Sequence, residues 1–270
     1  MSEICVITGG GSGMGLAAAK YMPKDKVIVV SGRTMSKLER AVAEIEANGH
    51  KAYAHTCDTS DRNSVRELAE FCAGLGKITN VINAAGLSPA MAKQEQLIRV
   101  NALGTVYVNQ EFSKKMEAGS VILDVSSNSA YVLPKFLISE KQYKLALKDE
   151  DKFVQKMIKK SNLAKSDYNK AGFAYALSKN FVLWYARYSA KEYGKRGIRV
   201  LSLSPGLIAT DMGNLESENA GDMVSQTAEK RMGTPEELGY AIATAADERN
   251  GYLAGVDILC DGGATTLKNL

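Results

Sequence analysis

The stretch ICVITGGGSGMGLAAAKYM, residues 4–22, joins a β-branched run to an alanine-rich run through a glycine-dense turn. Ile4–Thr8 has the composition of a buried strand, and Leu16–Met22 that of a helix. A glycine turn at such a junction lets backbone N–H groups and the helix amino end face a pyrophosphate, because no Cβ blocks close approach. Gly9, Gly13 and Gly15 carry that assignment, and Ser12 and Met14 between them join the candidate cofactor contacts. A tight turn with no ligand uses the same residues, so the choice rests on the rest of the chain.

Working outward, further apolar runs follow at KVIVVS (26–31), KAYAHT (51–56), ITNVIN (78–83), SVILDVSS (120–127), IRVLSLSP (198–205) and VDILC (256–260). Between them lie helical patterns such as SKLERAVAEIEANG, which closes at Asn48 and Gly49 with a C-cap signature. Strands this apolar, linked by helices, require a sheet covered on both faces. Right-handed crossovers then give an α/β, doubly wound Rossmann-type domain with a mostly parallel seven-stranded sheet. No repeat or linker divides it, so residues 1–270 are expected to form a single domain.

The bulk composition is that of a globular protein, with 45% hydrophobic residues. Lysine and arginine number 34 against 30 acidic residues, a net charge of +4, so the molecule as a whole is no polyanion binder. Cys5, Cys57, Cys72 and Cys260 lack metal-site or disulfide-framework spacing and suggest reduced thiols. MSE passes directly into ICVIT without a signal-peptide pattern, and no apolar run reaches the roughly 20 residues of a bilayer span. A soluble, cytoplasmic protein is expected, with no nucleic-acid or membrane partner.

One segment breaks the rhythm. After Ser127 the chain should return through a helix, but residues 131–172 intervene first, an excess typical of a functional loop. The apolar residues Val132, Leu133, Phe136, Tyr143, Phe153 and Met157 among its lysines suggest a small helical pair with one face packed down. Glu140, Asp149, Glu150, Asp151 and Asp167 interrupt the basic run, which argues against a nucleic-acid strip. Together with Asp211–Gly233, the insertion is expected to roof an apolar pocket beside the reaction centre.

The second strand ends SGRT, where an acidic side chain would bond ribose hydroxyls and a basic one would accept a 2′-phosphate. Gly32, Arg33 and Thr34 stand there with Lys37 one turn on, which favours NADP(H) and leaves NAD(H) possible. Ser12 occupies a place where a second basic residue would have strengthened that case. Asp58 and Thr59 end the third strand, where Asp58 either bonds adenine or, with Asp61, caps the next helix. Asn83, Ala84, Ala85 and Gly86 end the fourth strand and would let a ribose and nicotinamide lie against the backbone.

Two Tyr-x-x-x-Lys pairs occur, Tyr131 with Lys135 and Tyr175 with Lys179. On a helix such a pair shares a face, so the ammonium can stabilise a tyrosinate. Pro134 disfavours helix at the first pair, whereas Tyr175 opens a proline-free helical pattern. Ser126, Ser127 and Asn101 are further polar candidates, each equally compatible with a structural role. His50 and His55 are the only histidines, so neither a histidine triad nor a metal cluster competes.

TGGGSGMG, NAAG, Asn101, the serines of DVSS, YALSK and SPGLIAT follow the order and spacing of the short-chain dehydrogenase/reductase family, which the chain resembles over nearly its whole length. The resemblance implies Tyr175 as general acid/base, Ser127 as the hydroxyl polarising the substrate oxygen, and Lys179 as the residue holding the nicotinamide ribose and activating the tyrosine. It makes Asn101 the support of a proton-relay water. Pro205, Gly206, Ile208 and Thr210 would lie beside the nicotinamide carboxamide. The separation of Ser127 from Tyr175 departs from the family pattern and is similar to that of bacterial 3-alpha-hydroxysteroid dehydrogenase/carbonyl reductases. Those share the AGL-x-P pattern but carry an acidic residue where this chain has Gly32 and Arg33.

The resemblance therefore implies an NADP(H)-dependent oxidoreductase interconverting a ketone and a secondary alcohol, on a bulky apolar substrate such as a steroid or bile acid. The alternatives are a carbonyl reductase for smaller ketones, keto-esters or polyols and, more remotely, a nonenzymatic NAD(P)-sensing regulator. It also implies a homo-oligomer, expected as a dimer, whose assembly the insertion alters.

Overall fold

Every strand of the sheet runs parallel to its neighbours, in the order β3-β2-β1-β4-β5-β6-β7. The computed structural model describes residues 2–217 and 224–267. The strands are β1 (Glu3–Thr8), β2 (Lys26–Gly32), β3 (Lys51–Thr56), β4 (Lys77–Asn83), β5 (Val121–Val125), β6 (Arg199–Pro205) and β7 (Asp257–Cys260). The sheet is thus wholly parallel. The helices that matter for the site are α1 (Gly13–Tyr21), α2 (Met35–Ala47), α3 (Arg62–Leu75), α4 (Gln94–Ile98), α5 (Gly104–Ser113), α6 (Glu140–Tyr143), α7 (Glu150–Ser161), α8 (Asp167–Tyr193), α9 (Asp211–Ser217) and α10 (Pro235–Ala245).

The period-two alternation of the strands divides the core into two layers. Val6, Val29 and Val81 join Phe112 and Phe181 on one face, while Ile7, Val30 and Ile82 join Ala18, Leu38 and Ile242 on the other. With both faces covered, β1 and β2 are buried along almost their whole length. The strand order reverses between β1 and β4, which opens a crevice at the carboxyl ends of these strands. The glycine turn, SGRT and NAAG all end there.

The insertion differs from its expectation in several ways. It holds one full helix, α7, with α6 and short 3-10 turns at Lys135–Leu137 and Lys144–Leu147, rather than a pair of helices. Its last residues belong to the helix of Tyr175: α8 starts at Asp167, where the Ser166 hydroxyl accepts from the Asn169 amide at 3.2 Å. α7 does not roof the crevice. Phe153, Val154 and Met157 are buried against the core, and the rings of Tyr143 and Phe153 pack on Phe181 of α8, with centroids 5.4 and 5.0 Å away.

Polar contacts clasp the same face. The Tyr143 hydroxyl donates to Asn180 at 2.8 Å, Tyr107 donates to Glu150, and Arg99 pairs with Asp151 at 3.0 Å. Lys144, Lys148, Lys152, Lys156 and Lys159 point to solvent, as the amphipathic pattern requires, whereas Val132 and Phe136 are exposed rather than packed down. Of the Asp211–Gly233 segment, residues 218–223 lie outside the described residues. No described helix is long and apolar enough to cross a membrane.

Candidate active site

Two clefts share Gly86 and Leu87 along the carboxyl ends of the strands. The first, of about 200 Å³, runs over Gly9 and Ser12 to Arg33, Thr34 and Lys37, with Asp58, Thr59 and Ala85 on its wall. The second, of about 270 Å³, is lined by Met14, Ala84, Ser127, Tyr175 and Lys179 and by Pro205, Gly206, Ile208 and Thr210. Ser12 and Met14 are thus divided between the two, on either side of the turn.

The glycines of the turn divide their work. Gly9 (φ +69) and Gly13 (φ +55) adopt left-handed conformations that a side chain would strain. A Cβ on Gly15 would stand 2.6 Å from the Gly9 carbonyl oxygen, so Gly15 is needed for close packing of turn on helix. Neither Gly13 nor Gly15 is among the residues lining the clefts, and a Cβ on Gly13 would meet Thr210 Cγ2, on the wall of the second, at 3.2 Å.

Asn83 is also displaced from its expected role. Its Oδ1 accepts from the Thr8 hydroxyl at 2.7 Å, and its Nδ2 donates to Thr105 and Asp124 at 3.2 Å. Buried in this way, it ties β1, β4, β5 and α5 together below the clefts and lines neither of them. Of the two roles left open for the acids after β3, Asp61 caps α3 through the Asn63 amide at 2.9 Å, while Asp58 accepts from the backbone and hydroxyl of Ser60.

The chemical end is assembled from β5 and α8. Lys179 is buried, and its Nζ donates to the Val125 carbonyl at 3.0 Å and lies 5.9 Å from the centre of the Tyr175 ring. Ser126 fixes the same turn by donating to the Lys179 carbonyl at 2.8 Å. Ser127 follows in chain order and lines the cleft, its hydroxyl accepting from the Ser129 amide and hydroxyl at 3.2 and 3.0 Å. Tyr131, of the rejected pair, ends a 3-10 turn and donates to Asp257 at 2.6 Å.

Asn101 lies behind the cleft, in a π-helical turn at Arg99–Leu103. Its Oδ1 accepts from the Leu87 amide at 2.8 Å, and its Nδ2 donates to the Leu87 carbonyl and to Ser178 at 3.0 and 3.3 Å. A Cβ on Gly86 would meet Asn101 Oδ1 at 3.3 Å and Lys179 Nζ at 3.4 Å. Gly86 therefore keeps open the space that a ribose and nicotinamide would need, and the glycine turn and basic end fit the rest of a dinucleotide. Among the described residues no cluster could hold a metal ion.

Asp124, three residues before Ser127, is fully buried between Asn83 and Asn109. Burial pushes its carboxyl up to about 7, against the lowering effect of Asn109, Asn83 and Lys179. The sequence reading missed this residue, and also Tyr168 and Gly172, which line the second cleft from the first turns of α8. Their signal is helical phase: they precede Tyr175 by seven and three residues and so share its face.

A family model described as short chain dehydrogenase matches residues 3–138, and one described as Enoyl-(Acyl carrier protein) reductase matches residues 136–265. A short-chain dehydrogenase/reductase of Alternaria brassicicola is 27% identical over 98% of this chain and 96% of its own. Carbonyl reductase family member 4 of Xenopus laevis is 27% identical over 97% of this chain and 98% of its own. A short chain dehydrogenase of Burkholderia cenocepacia, solved in complex with NADP, superposes with a TM-score of 0.78 at 22% identity, covering 98% of this chain and 99% of that one.

Proposed function

The chain belongs to the short-chain dehydrogenase family and is an NAD(P)-dependent oxidoreductase; on that premise we propose that it is an NADP(H)-dependent carbonyl reductase interconverting a ketone and a secondary alcohol. The observation that carries the reading is the convergence of Ser127, Tyr175 and Lys179 on one cleft that continues, past Gly86, into a second cleft ending at Arg33 and Lys37. The end of β2 offers no carboxylate to a ribose, and Arg33 just beyond it with Lys37 of α2 suits a 2′-phosphate.

A nicotinamide cofactor would be held along the two clefts by the glycine turn, Gly86, Lys179 and Arg33, and would supply hydride to the carbonyl carbon. Tyr175 donates its phenolic proton to the carbonyl oxygen, and Ser127 holds that oxygen while negative charge develops on it. Lys179, fixed by Val125 and lying near the Tyr175 ring, stabilises the tyrosinate that remains. Asn101 supports the relay that returns a proton toward Lys179. Alcohol oxidation runs through the same residues in reverse.

Steroids and bile acids, the substrates implied by the subgroup resemblance, lose the support that a roof of apolar insertion residues would give. Phe153 and Met157 lie in the core instead. The smaller-ketone alternative gains support from the carbonyl reductase relative. The test is a coupled assay of small ketones, keto-esters, polyols and ketosteroids with NADPH and with NADH. Ketone-dependent oxidation of NADPH at a kcat/KM at least tenfold above that with NADH is expected, and consumption of neither cofactor with any substrate would overturn the proposal.

A further inference from the structure

Gly172 is a helical glycine without a structural reason. It lies inside α8, where glycine is a much poorer helix former than alanine, and its φ is not in the left-handed region. Close packing does not require it, since a Cβ built there meets no described atom within 4 Å beyond its own helix. What Gly172 does is line the catalytic cleft between Tyr168 and Tyr175. These three recur at steps of four and three, on one helix face, with Tyr168 about 10 Å from Tyr175 toward the amino end.

A further cavity of about 500 Å³ opens on the far side of Tyr168. Tyr168 and Pro89 line both this cavity and the catalytic cleft, so the two spaces adjoin at these side chains. Beyond that gate the wall is Ala90, Met91 and Ala171, with Lys93 exposed at the rim. Of the other polar lining residues, Gln94 donates to Asn162 at 3.0 Å and to Ser161, and Asp167, exposed, pairs with Lys170 at 2.9 Å. The cavity therefore offers apolar contact along Pro89, Ala90, Met91, Ala92 and Ala171, and an open, charged rim at Lys93 and Asp167.

We infer that this cavity is a substrate subsite for an extended apolar arm of the ketone. The arm leaves the carbonyl group held by Ser127 and Tyr175, crosses Gly172 where a side chain would block it, and passes between Tyr168 and Pro89 toward Met91. The inference rests on the ketone-reductase reading and names its substrate class: ketones with one small substituent and one long, unbranched, apolar one. It accounts for a glycine that neither backbone geometry nor packing explains. The insertion contributes to this site by delivering α8 early enough to carry Tyr168, not by covering the cleft.

The test compares butanone, methyl hexyl ketone and methyl decyl ketone with NADPH, in the wild type and in Gly172→Leu and Met91→Glu. In the wild type kcat/KM should rise roughly three- to fourfold for each methylene that reaches the apolar wall. Gly172→Leu should cut the ratio of kcat/KM between the longest and shortest ketones at least tenfold, with a melting temperature no lower than the wild type's. Met91→Glu, at an exposed position that folding does not depend on, should lower the same ratio by charging the arm's path. A flat series in the wild type, or a ratio unmoved by both variants, would overturn the subsite while butanone turnover upheld the reductase. Absence of turnover on every ketone would overturn the reductase reading, and the subsite with it.

Discussion

Replacing Arg33 by serine and Lys37 by alanine removes both cations from the adenosine end of the cleft, where each lines the wall and is exposed to solvent. An arginine hydrogen bond to a charged group contributes about 1.5–3 kcal/mol, and solvent at this rim places Arg33 at the low end. Lys37, a flexible point charge in water, adds about 0.5 kcal/mol. The sum of about 2 kcal/mol corresponds to roughly thirtyfold weaker binding of NADPH. NADH carries a hydroxyl where NADPH carries the phosphate, so its affinity should change less than about twofold. Fluorescence titration of both cofactors against the wild type and the double variant gives the two ratios. Raising the salt toward 1 M, where the Debye length is about 3 Å, should shrink the wild type's preference toward that of the variant. Equal weakening of both cofactors, or no change in either, would refute the argument that these side chains select the phosphate.

Asp124 predicts a distinct pH signature. Its folded-state value of about 7 lies above the ordinary 3.8, so the native protein keeps a proton that the unfolded chain has released between about pH 4 and 7. Stability contributed by that proton is present below this window and is lost as pH rises through it. Asp124→Asn should abolish the loss, since Asn109 can turn its buried and unpartnered Oδ1 toward the new amide. Denaturant unfolding of both proteins across pH 4–8 checks it, and parallel curves would count against it. Phe153→Ala should cost about 3–5 kcal/mol in the same assay because its ring is fully buried against Phe181. Phe136→Ser, at a side chain 84% exposed, should stay within about 0.5 kcal/mol; a large loss there would restore the packed-down role that the sequence suggested for it.

The strands and the glycine turn were legible because their signals are local: β-branched runs of strand length and glycines at a strand-to-helix junction. Strand ends moved by a residue or two, as at Lys77 and Gly32. The insertion was harder, since Phe153 and Met157 show the same helical spacing whether they roof a pocket or enter the core. The deciding partner of Phe153, Phe181, lies elsewhere in the chain. The start of α8 was marked by Ser166 and Asp167, a cap signature hidden inside a lysine-rich run. Reading it would have brought Tyr168 and Gly172 into phase with Tyr175. Asn83 misled for a different reason: a polar residue at a strand end suits ligand contact and sheet bracing equally, and only its bonds to Thr8 and Asp124 distinguish them.

The central claim is that Tyr175 transfers the proton at a cleft whose cofactor end is built independently of it. Tyr175→Phe deletes one hydroxyl and leaves Val125 still holding Lys179. Measured together on this variant, kcat for ketone reduction should fall by about 10²–10⁴, while the dissociation constant of NADPH stays within about twofold. Turnover close to that of the wild type would contradict the account.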